Sequence, residues 1–351
     1  MKHRKKISQV TLESLALLLA TIAALVAASW TYVVTMPMAA NLSNITHYGP
    51  YAAVLVSVAV VIAFMVGYIN SDAYQQGKGW RKLQQVALSL LLAIAHGAIA
   101  YLLVAALSSL AGTNLDGITI LPSGAITVSA LLAGTAAYIM YLYASAMSAQ
   151  KLAGFLAVFM MAGGIGSMIV AEDKNWWHIH ISALGAGGET LSSQAFNLTL
   201  ITGGILIIGL AHYIATELRQ VQQDNHEQLQ KNRITVVKVA FFLIGAAMLI
   251  AGAFPYDRVR WLHDLGANTM SYVFCLIAVG LPFLVPVFSK TFTVFSILTV
   301  LAVWIASLLS YFRTITLLQM EFFAALCFFG WLIVLVRTIS AVAADRSHSG
   351  E

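Results

Sequence analysis

Apolar stretches of about span length recur along almost the whole chain, separated by short polar breaks. They place helices near 11–35, 51–69, 85–110, 124–147, 152–170, 195–216, 235–254, 267–287, 292–311 and 317–339. A helix of about 20 apolar residues crosses the hydrocarbon core of a bilayer. Backbone groups in hydrocarbon must be satisfied within the segment, which excludes open strands. The pattern predicts an all-α fold, a polytopic transmembrane bundle of about ten spans. The run Leu15–Val34 is long enough to span and reads as an uncleaved first helix.

Charge then orients the bundle. With a cytoplasmic N-terminus, the inner segments hold Lys2, Arg4, Lys5, Lys6, Lys78, Arg81, Lys82, Lys151, Arg219, Lys231, Arg233, Lys238, Lys290, Arg337 and Arg346. The outer segments hold only Lys174, Arg258, Arg260 and Arg313. This is the asymmetry of cationic cytoplasmic loops, and it predicts a cell-membrane protein with both termini cytoplasmic. Trp30, Tyr32, Tyr51, Trp176, Trp177 and Trp261 fall near the outer boundary, as an aromatic belt would. The expected organisation is a four-helix segment over 1–150, a six-helix core over 151–340 and a cytoplasmic tail over 341–351. The inner connection 217–235, rich in Gln and charge, reads as an extension of the sixth helix.

Composition narrows the function classes. Hydrophobic residues make up 60% and charged residues 9%, against about 25% charged in soluble domains. No length remains for a separate soluble catalytic domain. The net charge of +5 lies in membrane-flanking loops, so the expected partner is membrane lipid and not nucleic acid, with a homo-oligomer or a partner subunit left open. Cys275 and Cys327 each sit inside an apolar run and read as small packing residues. The run Met161–Ser167 (MAGGIGS) and the pair Gly203-Gly204 read as small residues that permit close helix approach.

Chemistry concentrates in two outer segments. The first, 172–197, holds Trp177, His178, His180, Ser182 and Asn197 around Gly185, Gly187 and Gly188. A connection this long is more often functional or disordered than passive, and its aromatic content argues against disorder. His178 and His180 share a face if the segment is extended. The second, 252–268, holds Asp257, Arg260, His263 and Asp264. Pro255 stops the seventh helix. Asp257 is expected to N-cap a short interfacial helix, with Arg260 and Asp264 paired at i, i+4. A weaker group is Arg313, Gln319 and Glu321, with Arg313 as the expected partner of Glu321.

Four readings of these residues compete. They make a hydrogen-bonded cap. They line an outward cavity for a lipid headgroup or small amphiphile, with arginine holding phosphate or carboxylate. They form a zinc-type hydrolase in which His178, His180 and His263 bind the metal beside Asp257 or Asp264. Or they serve a transporter, against which no broken mid-membrane helix is evident. His96 and His212 read as packing histidines. The binding reading is preferred, without a cofactor and without enzymatic activity; zinc enters only with the hydrolase.

Two motifs add a resemblance. His180-Ile-Ser-Ala-Leu-Gly185, followed by Phe196-Asn197 and Gly203-Gly204, is similar to the first signature of a family of prokaryotic membrane proteins, the domain of unknown function numbered 998. Gly252-Ala-Phe-Pro255 followed by His263-Asp264-Leu-Gly-Ala267 resembles its second. The resemblance covers about 152–340. It implies a six-span bundle distantly grouped with Frag/DRAM/Sfk-type membrane proteins. It marks Ser182, Gly185, Asn197, Pro255, His263 and Asp264 as site positions and supplies no reaction.

Overall fold

The computed structural model describes residues 8–35, 45–71, 74, 80–114, 121–221 and 227–349. The terminal cations Lys2, Arg4, Lys5 and Lys6, and Lys78, lie outside them. Ten helices are long and apolar enough to cross a membrane, and no strand occurs among the described residues. In chain order they are α1 (Gln9–Thr35), α2 (Ile45–Ile69), α3 (Trp80–Asn114), α4 (Pro122–Ser145), α5 (Ala149–Ile169), α6 (Leu191–Val221), α7 (Glu227–Ala253), α8 (Arg260–Leu284), α9 (Lys290–Tyr311) and α10 (Leu317–Ser349).

Several helices outrun their apolar cores. α3, α6, α7 and α10 continue through Gln, Lys, Arg and Glu, good helix formers with nothing to stop them. The expected tail from 341 is therefore helical as far as Ser349. Helix starts are closed by side chains: Ser148 and Ser289 accept from Lys151 N and Phe292 N. At α10, Thr316 Oγ1 accepts from Gln319 N while Gln319 Oε1 accepts from Thr316 N. This reciprocal capping box satisfies N–H groups that have no partner within the helix. Gln319, grouped above with candidate site residues, is a cap.

The chain divides into two compact units, residues 1–147 and 148–351. In the first, α2 packs on α3 and α4, and α1 packs on α4. Alanines (Ala16, Ala63, Ala137, Ala52, Ala53, Ala133) fill its seams. Thr31 Oγ1 donates to Ser129 Oγ, Tyr48 Oη to Ala125 O and Asn70 Nδ2 to Tyr141 Oη. Such interhelical bonds contribute roughly 0.6 kcal/mol each in a membrane.

In the second unit α6 is central, against α5, α7 and α10, with α8 on α7 and α9 on α8 and α10. Fully buried Trp331 on α10 ties one side together. Its ring meets Phe241 of α7, Phe274 of α8 and Phe292 of α9, and its Nε1 donates to Ser296 Oγ. On the other side α6 and α7 touch backbone to backbone. A Cβ on Gly204 would lie 2.5 Å from Gly245 O, and one on Gly245 would lie 2.6 Å from Gly204 O. The expectation for α5 holds only in part: Gly163 abuts Thr199, but Gly164 and Gly166 face open space.

Gly204→Val should therefore force α6 and α7 apart, an overpacking cost of about 1–3 kcal/mol. The midpoint of thermal unfolding in detergent should drop by roughly 5 °C or more. Gly164→Ala should leave it unchanged or slightly raised, since Ala is the better helix former. Equal losses from both would contradict this packing.

Candidate functional site

The site is built at the end of the second unit where α5 and α7 finish and α6, α8 and α10 begin. Residues 171–190 form no passive strap. Two turns of 3-10 helix, Trp176–His178 and Ile181–Gly185, fold onto the bundle. Leu184 packs with Ala171 and Phe196, flanked by Met168, Trp176, Ile181 and Leu200. Trp176 thus belongs to a local core, whereas Trp177 is about half exposed.

The backbone of this segment is held by side chains from the helices. Glu321 Oε2 of α10 accepts the Ile181 N–H at 2.7 Å. Ser192 Oγ donates to Ser167 O at 2.9 Å and lies 3.3 Å from Leu184 O. Ser193 Oγ donates to Gly188 O at 2.6 Å, and Asn197 Nδ2 donates to Gly185 O at 2.9 Å. Gly187 and Gly188 stand at φ +89° and +76°, a turn that L-residues rarely adopt. It aims the Gly187 N–H at Asp257 Oδ2, 3.0 Å away.

That last bond joins the two polar segments, and rings join them again. His180 meets Tyr256 edge-on at 4.4 Å between centroids, and Tyr256 meets His263 at 6.1 Å. Both histidines are buried. His263 Nδ1 bonds Ala251 O at 2.9 Å, whereas His180 Nε2 is enclosed without a hydrogen-bond partner among the described residues. Burial pushes the His180 imidazole below its ordinary pKa. His263 and Arg260 push the same way, and Asp264 opposes them.

Four expectations need correction. His178 and His180 do not share a face. His178 closes a 3-10 turn and lies exposed against Trp177, and the backbone turns at Ile179 before His180 enters extended and buried. Asp257 is not an N-cap: no separate interfacial helix forms, α8 runs unbroken from Arg260, and its N-cap is Val259 without a side-chain bond. Arg313 does not pair with Glu321. Its backbone ends α9 in the left-handed conformation (φ 58°), with Arg313 N on Ser310 O and Thr314 N on Leu309 O. That C-terminal motif leaves the guanidinium exposed. Of the helices that open at the site, α6 and α8 begin earlier than expected, at Leu191 and Arg260, whereas α10 begins at Leu317 as expected.

The remaining positions are placed as follows. Arg260 and Asp264 form the expected i, i+4 pair at 3.5 Å, and Arg260 also lies over the Tyr256 ring. Ser182 is half-buried beside Ile181. Pro255 follows the end of α7 at Ala253. Among the described residues no three His, Cys, Asp or Glu side chains gather as a metal-binding group.

A cavity of about 360 Å³ opens beside this junction. Gly185 and Gly188 come from the first segment, Gly252, Ala253, Pro255 and Arg258 from the second, and Ser193, Gln194, Asn197, Leu198 and Ile201 from α6. Of the site positions marked in the sequence, Gly185, Asn197 and Pro255 line it, and the candidate charged and aromatic residues do not. Nothing in the spacing of Arg258, Ser193 and Gln194 marks them; Arg258 enters the sequence reading only as one of the four outer cations. No known family, curated protein or solved structure matches the chain.

The His180 shift has a definite pH consequence. A histidine held neutral in the fold and free to protonate when released adds stability above its ordinary pKa of ~6.5. That stability is lost as pH falls below this value towards the depressed folded pKa. Amides of residues 181–187 should exchange hydrogen faster at pH 5 than at pH 7, after correction for intrinsic rates. In His180→Gln this extra acid sensitivity should vanish. An unchanged acid response in that variant would assign it to another group.

Proposed function

We propose that this protein is a multi-pass cell-membrane protein that binds a lipid headgroup or small amphiphile in the cavity between residues 185–188, the start of α6 and the turn after α7. One observation carries the reading: the cavity wall is amphipathic, with Leu198, Ile201, Ala253 and Pro255 beside Ser193, Gln194, Asn197 and Arg258. Its volume falls at the lower end of the roughly 300–1,000 Å³ typical of ligand pockets. The residues that carry the resemblance to the domain 998 family support the reading in a different way. Gly185, Asn197 and Pro255 line the cavity, while His263 meets the Tyr256 ring and Asp264 pairs with Arg260. The chemistry used is binding; no activated nucleophile enters it.

The cavity faces outward in this reading and the termini are cytoplasmic, as the loop charges favour. Single cysteines at exposed Glu189 and Asn232, in a background with Cys275 and Cys327 replaced by alanine, test the orientation. In intact cells a membrane-impermeant maleimide should modify the cysteine at 189 and not the one at 232. The reverse labelling would invert the protein.

Ala253 is exposed at the cavity rim, so Ala253→Trp fills the space without crowding the core. Native mass spectrometry of protein extracted from its own membrane should show bound lipid in the original chain. At least a several-fold loss is expected in the variant. Equal lipid retention by both would remove the cavity as the binding site, and zinc in the bound fraction would favour hydrolysis over binding.

A further inference from the structure

We infer that the ligand is anionic and that Arg258 holds its phosphate or carboxylate, an inference that rests on the binding reading above. Among the residues that line the cavity, Arg258 carries the single charge. Three of the neighbouring charged groups are already engaged, while the Glu189 carboxylate, next to Gly188, is exposed. Asp257 accepts from Gly187 N, Glu321 from Ile181 N, and Arg260 is divided between Asp264 and Tyr256. Arg258 itself makes no ion pair or side-chain hydrogen bond among the described residues, and its Nη2 lies 3.5 Å from where a Cβ on Gly188 would stand. The guanidinium therefore rests over a glycine turn at the cavity rim, with its fork of donors unused.

The other polar linings strengthen the choice of charge. Ser193 Oγ donates to Gly188 O, Asn197 Nδ2 to Gly185 O and Gln194 Nε2 to Glu189 O. The Ser193 O–H and one N–H of each amide are thereby directed into the protein's own backbone. The charged donors free in the cavity are those of Arg258, and a planar guanidinium binds phosphate or carboxylate oxygens in pairs. Amide oxygens of Asn197 and Gln194 remain as acceptors for hydroxyls on a headgroup.

Depth identifies the source of the anion as a lipid. The cavity is walled by the opening turns of α6 and the closing turn of α7, Gly252 and Ala253. That is the level at which spans meet headgroups. Leu198 and Ile201 continue the wall towards the apolar part of α6. A headgroup fits within the cavity while its acyl chains stay in the bilayer.

The test is competition between lipids on the full-length protein. The chain is reconstituted in bilayers of equal parts dioleoyl phosphatidylglycerol and dioleoyl phosphatidylcholine, and retained lipids are counted by native mass spectrometry. Both lipids offer a phosphodiester to Arg258, but the choline cation of phosphatidylcholine repels the guanidinium, so phosphatidylglycerol should be favoured by about tenfold. Arg258→Gln changes an exposed side chain and should reduce that preference to near unity while phosphatidylcholine is still retained. Equal retention of both lipids by the original chain, or an unchanged preference in Arg258→Gln, would overturn the anionic assignment and leave the cavity standing. Loss of the preference upon adding millimolar inorganic phosphate, without loss of total lipid, would overturn the lipid source in favour of a free anion. If Ala253→Trp retains the same lipids in the same amounts, the binding reading itself fails.

Discussion

In hydrocarbon, and in the dry seams between helices, a backbone N–H or C=O has no water to fall back on. This constraint decides the arrangement of the loop end of the second unit. Residues 171–190 must turn over the mouths of the helices, and their polar groups need partners there. α10 supplies the Glu321 carboxylate to Ile181 N, the turn after α7 supplies Asp257 to Gly187 N, and α6 supplies Ser192, Ser193 and Asn197 to three carbonyls or more. The acids that a charge count assigns to arginines are used up on backbone. Only Arg260 and Asp264, adjacent on one helix face, keep the expected pairing.

The sequence revealed much of this and missed a defined part. Ten apolar runs became ten helices because hydropathy and the ban on unsatisfied backbone act over lengths visible in one dimension. Pro255 and the glycines at 187 and 188 marked breaks by their own backbone preferences. What could not be read was which donor each carboxylate would meet. Glu321 finds Ile181, 140 positions away, and no periodicity reports such a contact. The pairing of His178 with His180 failed for a local reason: one turn at Ile179 sends the two rings apart. Arg258 was missed because importance came to it by default, once its neighbours were engaged elsewhere.

Small residues do two opposite things here. At Gly204 and Gly245 the absence of a side chain lets backbones touch, and nothing is left over. Of the three glycines in the cavity wall, at 185, 188 and 252, it is at Gly188 that the absence leaves room. The difference lies in what stands opposite. Gly252 and Gly185 press on Asn197 and cannot accept a Cβ, so the helices are fixed there, while Gly188 faces only the Arg258 guanidinium. One end of the α6–α7 seam is thus locked, and the space beside it is held open.

A binding site loses affinity when a ligand must first break the protein's own bonds or order its loops. Here the hydrogen bonds that shape the wall run into backbone carbonyls and amides, and the edge-to-face contacts of His180 and His263 with Tyr256 brace the turn that carries Arg258. The same arrangement explains why a buried imidazole nitrogen without a partner is tolerated at His180. Neutral, it presents an aromatic ring to Tyr256; charged, it would be a buried cation near Arg260.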